Sequence, residues 1–173
     1  MKRVVADTSA LISLAYSGYL DKACETIEIN IPAPVKIELD EIASYSDKLA
    51  KMARDCILLL QKKKIKIHDK PISTKATKYL NSKVDLGEAA CFELATEQNI
   101  PSILMDDIAA ATALYGLALS KKITIKLSIA ALIELKNQNK MTQPELRKGL
   151  EAMIQNREWG KSAMEQAIQK YFE

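Results

Sequence analysis

Five acidic residues are placed where they could meet at one edge of a folded sheet. Asp7 directly follows a short apolar run, and the adjacent pair Asp106 and Asp107 directly follows another. Glu38 and Glu88 fall in the early turns of segments with helical spacing. Sites in open α/β sheets form beyond the carboxyl ends of the strands. These separate segments could bring their carboxylates together, so all five residues are candidate catalytic residues.

Carboxylates gathered in one cleft repel each other, and some would take up protons unless a cation balanced their charge. Magnesium and manganese prefer oxygen ligands, so either ion would suit such a cleft. Two ions about 3.5–4 Å apart can activate water and stabilise the leaving oxygen of a phosphodiester. The sequence therefore predicts phosphodiester hydrolysis, with Asp7, Glu88, Asp106 and Asp107 as ligands of Mg2+ or Mn2+.

Each of these acids also has a purely structural interpretation. Asp7 could cap the helix that follows it, and Glu88, three residues after Asp85, could be the second member of a capping box. Glu38 lies in an acidic run that a solvated helix face would explain. One residue of the Asp106–Asp107 pair could cap a helix, but a cap needs only one aspartate. The functional prediction therefore depends on the joint pattern.

The segments that carry these acids alternate between strand and helix patterns. Short apolar or alternating runs predict strands, and apolar residues at helical spacing behind capping residues predict helices. The predicted strands are 4–6, 27–31, 65–67, 102–105 and 123–125; the predicted helices are 10–15, 34–44, 48–61, 74–80, 86–98, 108–119 and 128–137. Such alternation is typical of a three-layer α/β/α fold with a mostly parallel central sheet.

The character of the chain changes after Lys140. Thr142 and Glu145 form a capping-box pattern that opens a helix to about Asn156, and residues 161–172 have the spacing of a further amphipathic helix. The sequence therefore predicts a main domain over residues 1–140 and a C-terminal helical appendage over residues 141–173.

Composition narrows the class of protein. A chain of 173 residues with 48% hydrophobic residues can bury one core. Three scattered cysteines and a single histidine argue against a structural zinc site, and unpaired cysteines fit a reducing compartment. The net charge of +3 permits an RNA partner without requiring one. No apolar run is long enough to span a membrane, so a cytoplasmic location is expected.

Four stretches of the chain resemble the acidic motifs of the PIN-domain family, which includes the toxin ribonucleases of toxin–antitoxin pairs. The likeness runs in order from residue 3 to about residue 135. The stretches are Val4–Ile12 with its Asp-Thr-Ser, Pro34–Leu39 with its glutamate, the Gly-Glu-Ala within Leu86–Ala90, and the Asp-Asp that ends Leu104–Asp107. The last two match the forms found in one subgroup of the family.

The resemblance implies a parallel sheet flanked by helices and an acidic pocket that binds Mg2+ or Mn2+. It also implies hydrolysis of RNA, often by a homodimer and often by a toxin that an antitoxin protein holds inactive. The family's site residues carry over first to Asp7, Glu88 and Asp107, then to Asp106 and Glu38. Ser9 matches the residue that supports the first aspartate by a hydrogen bond, although a helix cap would explain it equally well.

Two other classes of function stay open. One is a catalytically inactive PIN-fold protein with a binding or regulatory role, because residues 108–111 lack the arginine that the subgroup often has there. The helices after residue 140 also extend the minimal toxin. The other is an aspartyl-phosphate enzyme or receiver domain. Ser9 argues against the former, since it stands where haloacid-dehalogenase enzymes need a second aspartate. The late position of the Asp106–Asp107 pair argues against the latter.

Overall fold

The computed structural model describes residues 2–69 and 76–157. These residues form five β-strands, eight α-helices and one 3-10 turn at Ala76–Tyr79. The strands are β1 (Arg3–Ala6), β2 (Glu28–Pro32), β3 (Ile65–His68), β4 (Ser102–Leu104) and β5 (Thr124–Lys126). The helices are α1 (Thr8–Ser17), α2 (Leu20–Thr26), α3 (Ala33–Ala43), α4 (Lys48–Gln61), α5 (Leu86–Glu97), α6 (Ile108–Ser120), α7 (Ile129–Asn137) and α8 (Gln143–Asn156).

The five strands form one parallel sheet in the order β3-β2-β1-β4-β5. The central strands are largely apolar: Val4, Val5 and Ala6 of β1 and Ile103 and Leu104 of β4 are fully buried, as expected where helices cover both faces. From β1 the chain moves to one side of the sheet through β2 and β3, and then crosses back to β4 and β5. The neighbours β1 and β4 therefore flank the point where the strand order reverses. The backbone N–H of Asp7 extends this pairing by donating to the carbonyl of Leu104 at 3.1 Å.

Helices cover the sheet on both faces. Right-handed connections place α1 and α4 on one face and α5 and α6 on the other. The helix α7 follows the last strand and packs against α2 and α8. The contacts agree with this arrangement: α1 packs against α4, while α5 packs against β1, β2, β4 and α6. These helices and strands share one hydrophobic core, and the predicted α/β/α fold with a central parallel sheet is confirmed. The sheet is fully parallel rather than mostly so.

Aspartate caps account for where several helices begin. Asp7, Asp47, Asp85 and Asp107 each accept a hydrogen bond from a backbone N–H in the first turn of the helix that follows. Such a bond satisfies one of the N–H groups that lack a partner within the helix. Two of these caps, Asp7 and Asp107, belong to the candidate site, so local folding and site construction depend on the same side chains.

Two helical segments differ from the sequence prediction, and one lies outside the described residues. The helix α2 was not predicted, because its N-cap Tyr19 makes no side-chain capping bond and only Leu20 and Ala23 are buried in it. Where a helix over residues 74–80 was expected, the described part is the 3-10 turn at Ala76–Tyr79. The expected helix over residues 161–172 lies outside the described residues.

The helix α8 packs against α1 and α7 and contributes Leu146, Leu150 and Met153 to the common core. Gly149 lies at the closest approach: a Cβ atom there would stand 3.1 Å from the ring of Tyr19 and 3.2 Å from Leu132. The assignment of residues 141–173 as a separate appendage stays a prediction. No helix in the described parts of the chain is both long enough and apolar enough to cross a membrane.

Candidate active site

Asp7 is the most deeply buried of the five candidate acids, at 3% exposure. It caps α1, with one carboxylate oxygen accepting from the backbone N–H of Ala10 at 2.7 Å. The hydroxyl of Ser9 donates to both carboxylate oxygens, at 2.9 and 3.0 Å. Burial nevertheless raises the pKa of Asp7 well above its ordinary value, and the carboxylates of Asp106 and Glu88 raise it further.

Ser9 also connects the ends of the two central strands. Its hydroxyl oxygen accepts from the backbone N–H of Asp106 at 3.2 Å while its proton points to Asp7. One hydroxyl therefore fixes Asp7 after β1 relative to the backbone after β4. The predicted supporting role agrees with this geometry, which also gives Ser9 a second partner.

Asp106 is buried and fully engaged by Ser128, the residue before α7. One of its carboxylate oxygens accepts from the backbone N–H of Ser128, and the other accepts from the Ser128 hydroxyl, each at 2.7 Å. These bonds tie the end of β4 to the start of α7. Asp106 therefore has a clear structural use in addition to any role toward an ion.

Asp107 has a different environment although it is the next residue. It caps α6 by accepting from the backbone N–H of Ala110 at 2.9 Å, and its side chain is exposed. Its charge contributes to raising the pKa of Glu88. Asp107 is thus oriented toward the open side of the site and retains capacity to bind a ligand.

Glu88 forms a reciprocal capping box with Asp85. Its carboxylate accepts from the Asp85 backbone N–H at 2.8 Å, while its own N–H donates to the Asp85 carboxylate at 2.9 Å. The prediction that Glu88 belongs to a capping box is therefore confirmed. The same residue also has a perturbed pKa. Burial raises the pKa of Glu88 to about 7, and the charges of Asp85, Asp107 and Glu38 contribute.

Glu38 joins the site from α3. Its carboxylate accepts a short hydrogen bond of 2.5 Å from the hydroxyl of Thr8, the residue after Asp7. It also lies beside the start of α5, since a Cβ atom on Gly87 would stand 3.6 Å from it. The exposed Glu38 side chain thus lies between the end of β1 and the capping box of α5.

The structure brings all five predicted acids into one electrostatic neighbourhood. Asp7 interacts with Asp106 and Glu88, and Glu88 interacts in turn with Asp107 and Glu38. Their hydrogen-bonding partners are mostly backbone N–H groups and hydroxyls, and within residues 2–69 and 76–157 none of the five acids forms an ion pair with a lysine or arginine. The site therefore holds a concentration of negative charge.

This donor set suits a hydrated divalent cation. Magnesium typically binds through one or two carboxylates and keeps several waters, so a preformed cage is not required. Over residues 2–69 and 76–157, no group of three or more histidine, cysteine, aspartate or glutamate side chains is arranged to hold an ion. Burial is the main cause of the raised pKa values of Asp7 and Glu88, and a bound cation would lower both values by favouring the ionised carboxylates.

Two residues with a part in the site were not singled out from the sequence. Thr8 holds Glu38, and Ser128 holds Asp106. Both lie within two residues of the carboxyl end of a strand, β1 for Thr8 and β5 for Ser128. A search of every strand end for hydroxyl groups as well as acids would have found them.

Comparison with known proteins agrees with this geometry. A family model described as a PIN domain matches residues 3–173, nearly the whole chain. The chain therefore belongs to the PIN-domain family, whose fold is generally that of metal-dependent ribonucleases. No curated protein and no solved structure gives a significant match.

Proposed function

We propose that this protein is a metal-dependent endoribonuclease that hydrolyses single-stranded RNA at the acidic site. The observation that carries the proposal is the convergence of Asp7 and the Asp106–Asp107 pair at the point where the strand order reverses, with Glu88 close enough to raise the pKa of Asp7. Ligand sites in open α/β sheets form at this point. The family membership supplies the reaction class.

Within this proposal the five acids have distinct roles. Asp7, Glu88 and Asp107 would hold Mg2+ or Mn2+, which when bound would supply Lewis-acid chemistry to the phosphodiester and to the attacking water. Asp106 completes the acidic set while Ser128 keeps its carboxylate in place. Ser9 orients Asp7, and Glu38, held by Thr8, borders the entrance of the site. A toxin role, an antitoxin partner and a homodimer stay predictions from the family resemblance.

The test is cleavage of a labelled single-stranded RNA by the purified protein with Mg2+ or Mn2+. Asp7→Asn retains a side chain that can cap α1, so it removes the charge without removing the cap. Asp55→Asn, on the exposed side of α4, is the matched control. We expect cleavage by the protein and by the control, and none with EDTA or Asp7→Asn. Cleavage that survives both treatments would refute the proposal.

A second candidate function is a PIN-fold binding module without catalysis. The observation that favours it is the engagement of both Asp106 oxygens by Ser128, which leaves fewer carboxylate oxygens for an ion. This candidate predicts no measurable heat of Mn2+ binding by calorimetry and no cleavage of any RNA by the folded protein. Saturable Mn2+ binding that Asp7→Asn removes would exclude it.

A further inference from the structure

A cavity of about 260 Å³ lies between α3 and the start of α5, next to the acidic site. Pro34, Ile37 and Leu86 provide its apolar lining, and Gly87 provides bare backbone. The side chains of Ile37 and Leu86 are 56% and 39% exposed, and both belong to the lining of the cavity. The cavity therefore offers an apolar surface to a ligand from solvent.

Three carboxylates border this apolar surface: Glu38, Glu41 and Asp85. Two of them have partners, because Glu38 accepts from Thr8 and Asp85 accepts from the backbone N–H of Glu88. Elsewhere on α3, Asp40 is paired with Lys36. The Glu41 carboxylate has no hydrogen bond or ion pair with any described residue. Among the described residues, therefore, no partner competes with a ligand in the cavity for this carboxylate.

Gly87 keeps the cavity open beside the active site. A Cβ atom there would stand 3.4 Å from the Asp85 carboxylate, 3.6 Å from the Glu38 carboxylate and 4.0 Å from Val35. Any side chain would occupy the space between the two acids. Because Gly87 has no side chain, a flat ring can approach the backbone between the carboxylates of Glu38 and Asp85.

None of the side chains that line the cavity can donate a hydrogen bond when the acids are ionised. A nucleobase that is held by these side chains must therefore present donors, because the donors of the lining are backbone N–H groups at the start of α5. Guanine presents two adjacent donors, N1–H and the N2 amino group, which match the two oxygens of one carboxylate. Cytosine, adenine and uracil each place an acceptor beside their donor on the same edge, and a carboxylate would repel that acceptor.

We infer that this cavity is a base-recognition subsite that selects guanine next to the scissile phosphate, with Glu41 accepting from its Watson–Crick edge and Ile37 and Leu86 packing against the ring. The inference rests on the proposed ribonuclease function. It makes Glu41 a specificity-determining residue. Reading a base by its Watson–Crick edge between apolar side chains is an established mode for enzymes that act on single-stranded nucleic acid.

Location links this subsite to the proposed chemistry. Glu38 both lines the cavity and accepts from Thr8, which directly follows Asp7. Asp85 both lines the cavity and forms the capping box with Glu88. A base in the cavity would thus lie beside the acidic site, where the neighbouring phosphate of the same strand could be cleaved.

The test compares cleavage of single-stranded oligonucleotides that differ only in one base, G, A, C or U, in Mn2+. Parallel titrations measure binding of the four nucleoside 5′-monophosphates to the metal-loaded protein. Glu41→Gln replaces one acceptor oxygen by a donor, and Glu151→Gln on the exposed side of α8 is the matched control. We expect guanine to be preferred by about tenfold or more in kcat/KM, the range of a bidentate contact. Glu41→Gln should lose this preference, and the control should keep it.

The two arms separate the inference from the proposed function. Cleavage without base preference, or a guanine preference that Glu41→Gln leaves intact, would overturn the inference while the ribonuclease stands. Absence of cleavage together with guanine-selective monophosphate binding that Glu41→Gln removes would support the subsite and refute the nuclease. Absence of both cleavage and selective binding would overturn both.

Discussion

Asp106 and Ser128 form a two-point contact, in which the backbone N–H and the hydroxyl of Ser128 each donate to a different oxygen of the same buried carboxylate. The two residues are 22 positions apart and belong to the ends of neighbouring strands, β4 and β5. This contact fixes the position of the second of the central acidic segments. Because the Ser128 hydroxyl donates to Asp106, it makes no capping bond to α7.

We expect Ser128→Ala to lower the free energy of unfolding by about 1–3 kcal/mol, because it leaves one oxygen of a buried carboxylate without its hydrogen bond. Urea denaturation followed by circular dichroism measures the change. Ser120→Ala is the control, since the Ser120 hydroxyl donates to a carbonyl on the exposed side of α6. Equal effects of the two variants would contradict the importance of the Asp106 contact.

Asp7→Asn should stabilise the metal-free protein at neutral pH. The folded-state pKa of Asp7 is raised above its ordinary 3.8, so the protein favours the protonated form and loses stability as pH rises through that raised pKa. Asparagine has no charge to bury, and the gain should be about 1–3 kcal/mol at pH 7.5.

Urea denaturation in EDTA at pH 4 and pH 7.5 tests this sign. The difference between Asp7→Asn and the unsubstituted protein should shrink toward pH 4, close to the ordinary pKa of 3.8, where the folded chain holds Asp7 protonated and the unfolded chain is only partly ionised at this residue. Asp55→Asn should show no such trend, because Asp55 lies exposed on α4. If Asp7→Asn is less stable than the unsubstituted protein at pH 7.5, the ionised Asp7 carboxylate does not destabilise the fold, and the prediction is wrong.

Mn2+ affinity should fall as pH drops below 7. Burial raises the pKa of Glu88 to about 7, and a carboxylate must lose its proton before it binds an ion. One such proton lowers the apparent affinity by about tenfold per pH unit below that pKa. Calorimetry in two buffers of different ionisation enthalpy should detect release of about one proton or more at pH 6.

Glu88→Gln should flatten this pH dependence as well as weaken binding. Glu97→Gln is the control, because Glu97 lies exposed at the other end of α5. If affinity for Mn2+ is the same at pH 5.5 and pH 7.5 in the unsubstituted protein, neither Glu88 nor Asp7 exchanges a proton for the ion.

Gly149→Leu should destabilise the protein by about 1–3 kcal/mol through overpacking, because Tyr19 and Leu132 leave no space for a side chain there. The same change at Gly116 meets open space on exposed α6. Gly116→Leu should therefore raise stability by about 0.5–1 kcal/mol, by removing glycine from a helix. Thermal unfolding of the two variants compares them directly. A similar melting temperature would show that α8 is not held against α1 and α7 as described.

The sequence was sufficient where a local signal determines the structure. Asp47, Asp85 and Thr142 mark the starts of their helices because each side chain caps within three residues of itself. The short apolar run of β1 predicts a buried strand for a similar reason, since Val4, Val5 and Ala6 after Arg3 have no polar side chain and suit a central parallel strand. Such signals place the acids at strand ends and helix starts, which was enough to predict that they converge.

Contacts between distant segments could not be predicted in the same way. The order of the strands, the Thr8–Glu38 bond and the Asp106–Ser128 contact depend on which segments the tertiary fold makes neighbours. The helix α2 was not predicted because it has no local signal in the sequence. Its N-cap residue makes no side-chain capping bond, and burial of Leu20 and Ala23 in the core stabilises it. The specific ligands of an ion stay a prediction for the same reason.

The capping roles of Asp7 and Asp107 restrict how a descendant of this protein could lose its chemistry and still fold. Asparagine, serine and threonine also cap helices well, whereas alanine at a capping position costs about 1 kcal/mol. A lineage drifting toward a catalytically silent role would therefore be expected to carry one of those three residues at position 7 or 107 rather than a random substitution. Some PIN-domain sequences will lack these acids. In such a sequence, a capping residue at either helix start would indicate that catalysis was lost while selection for the fold continued.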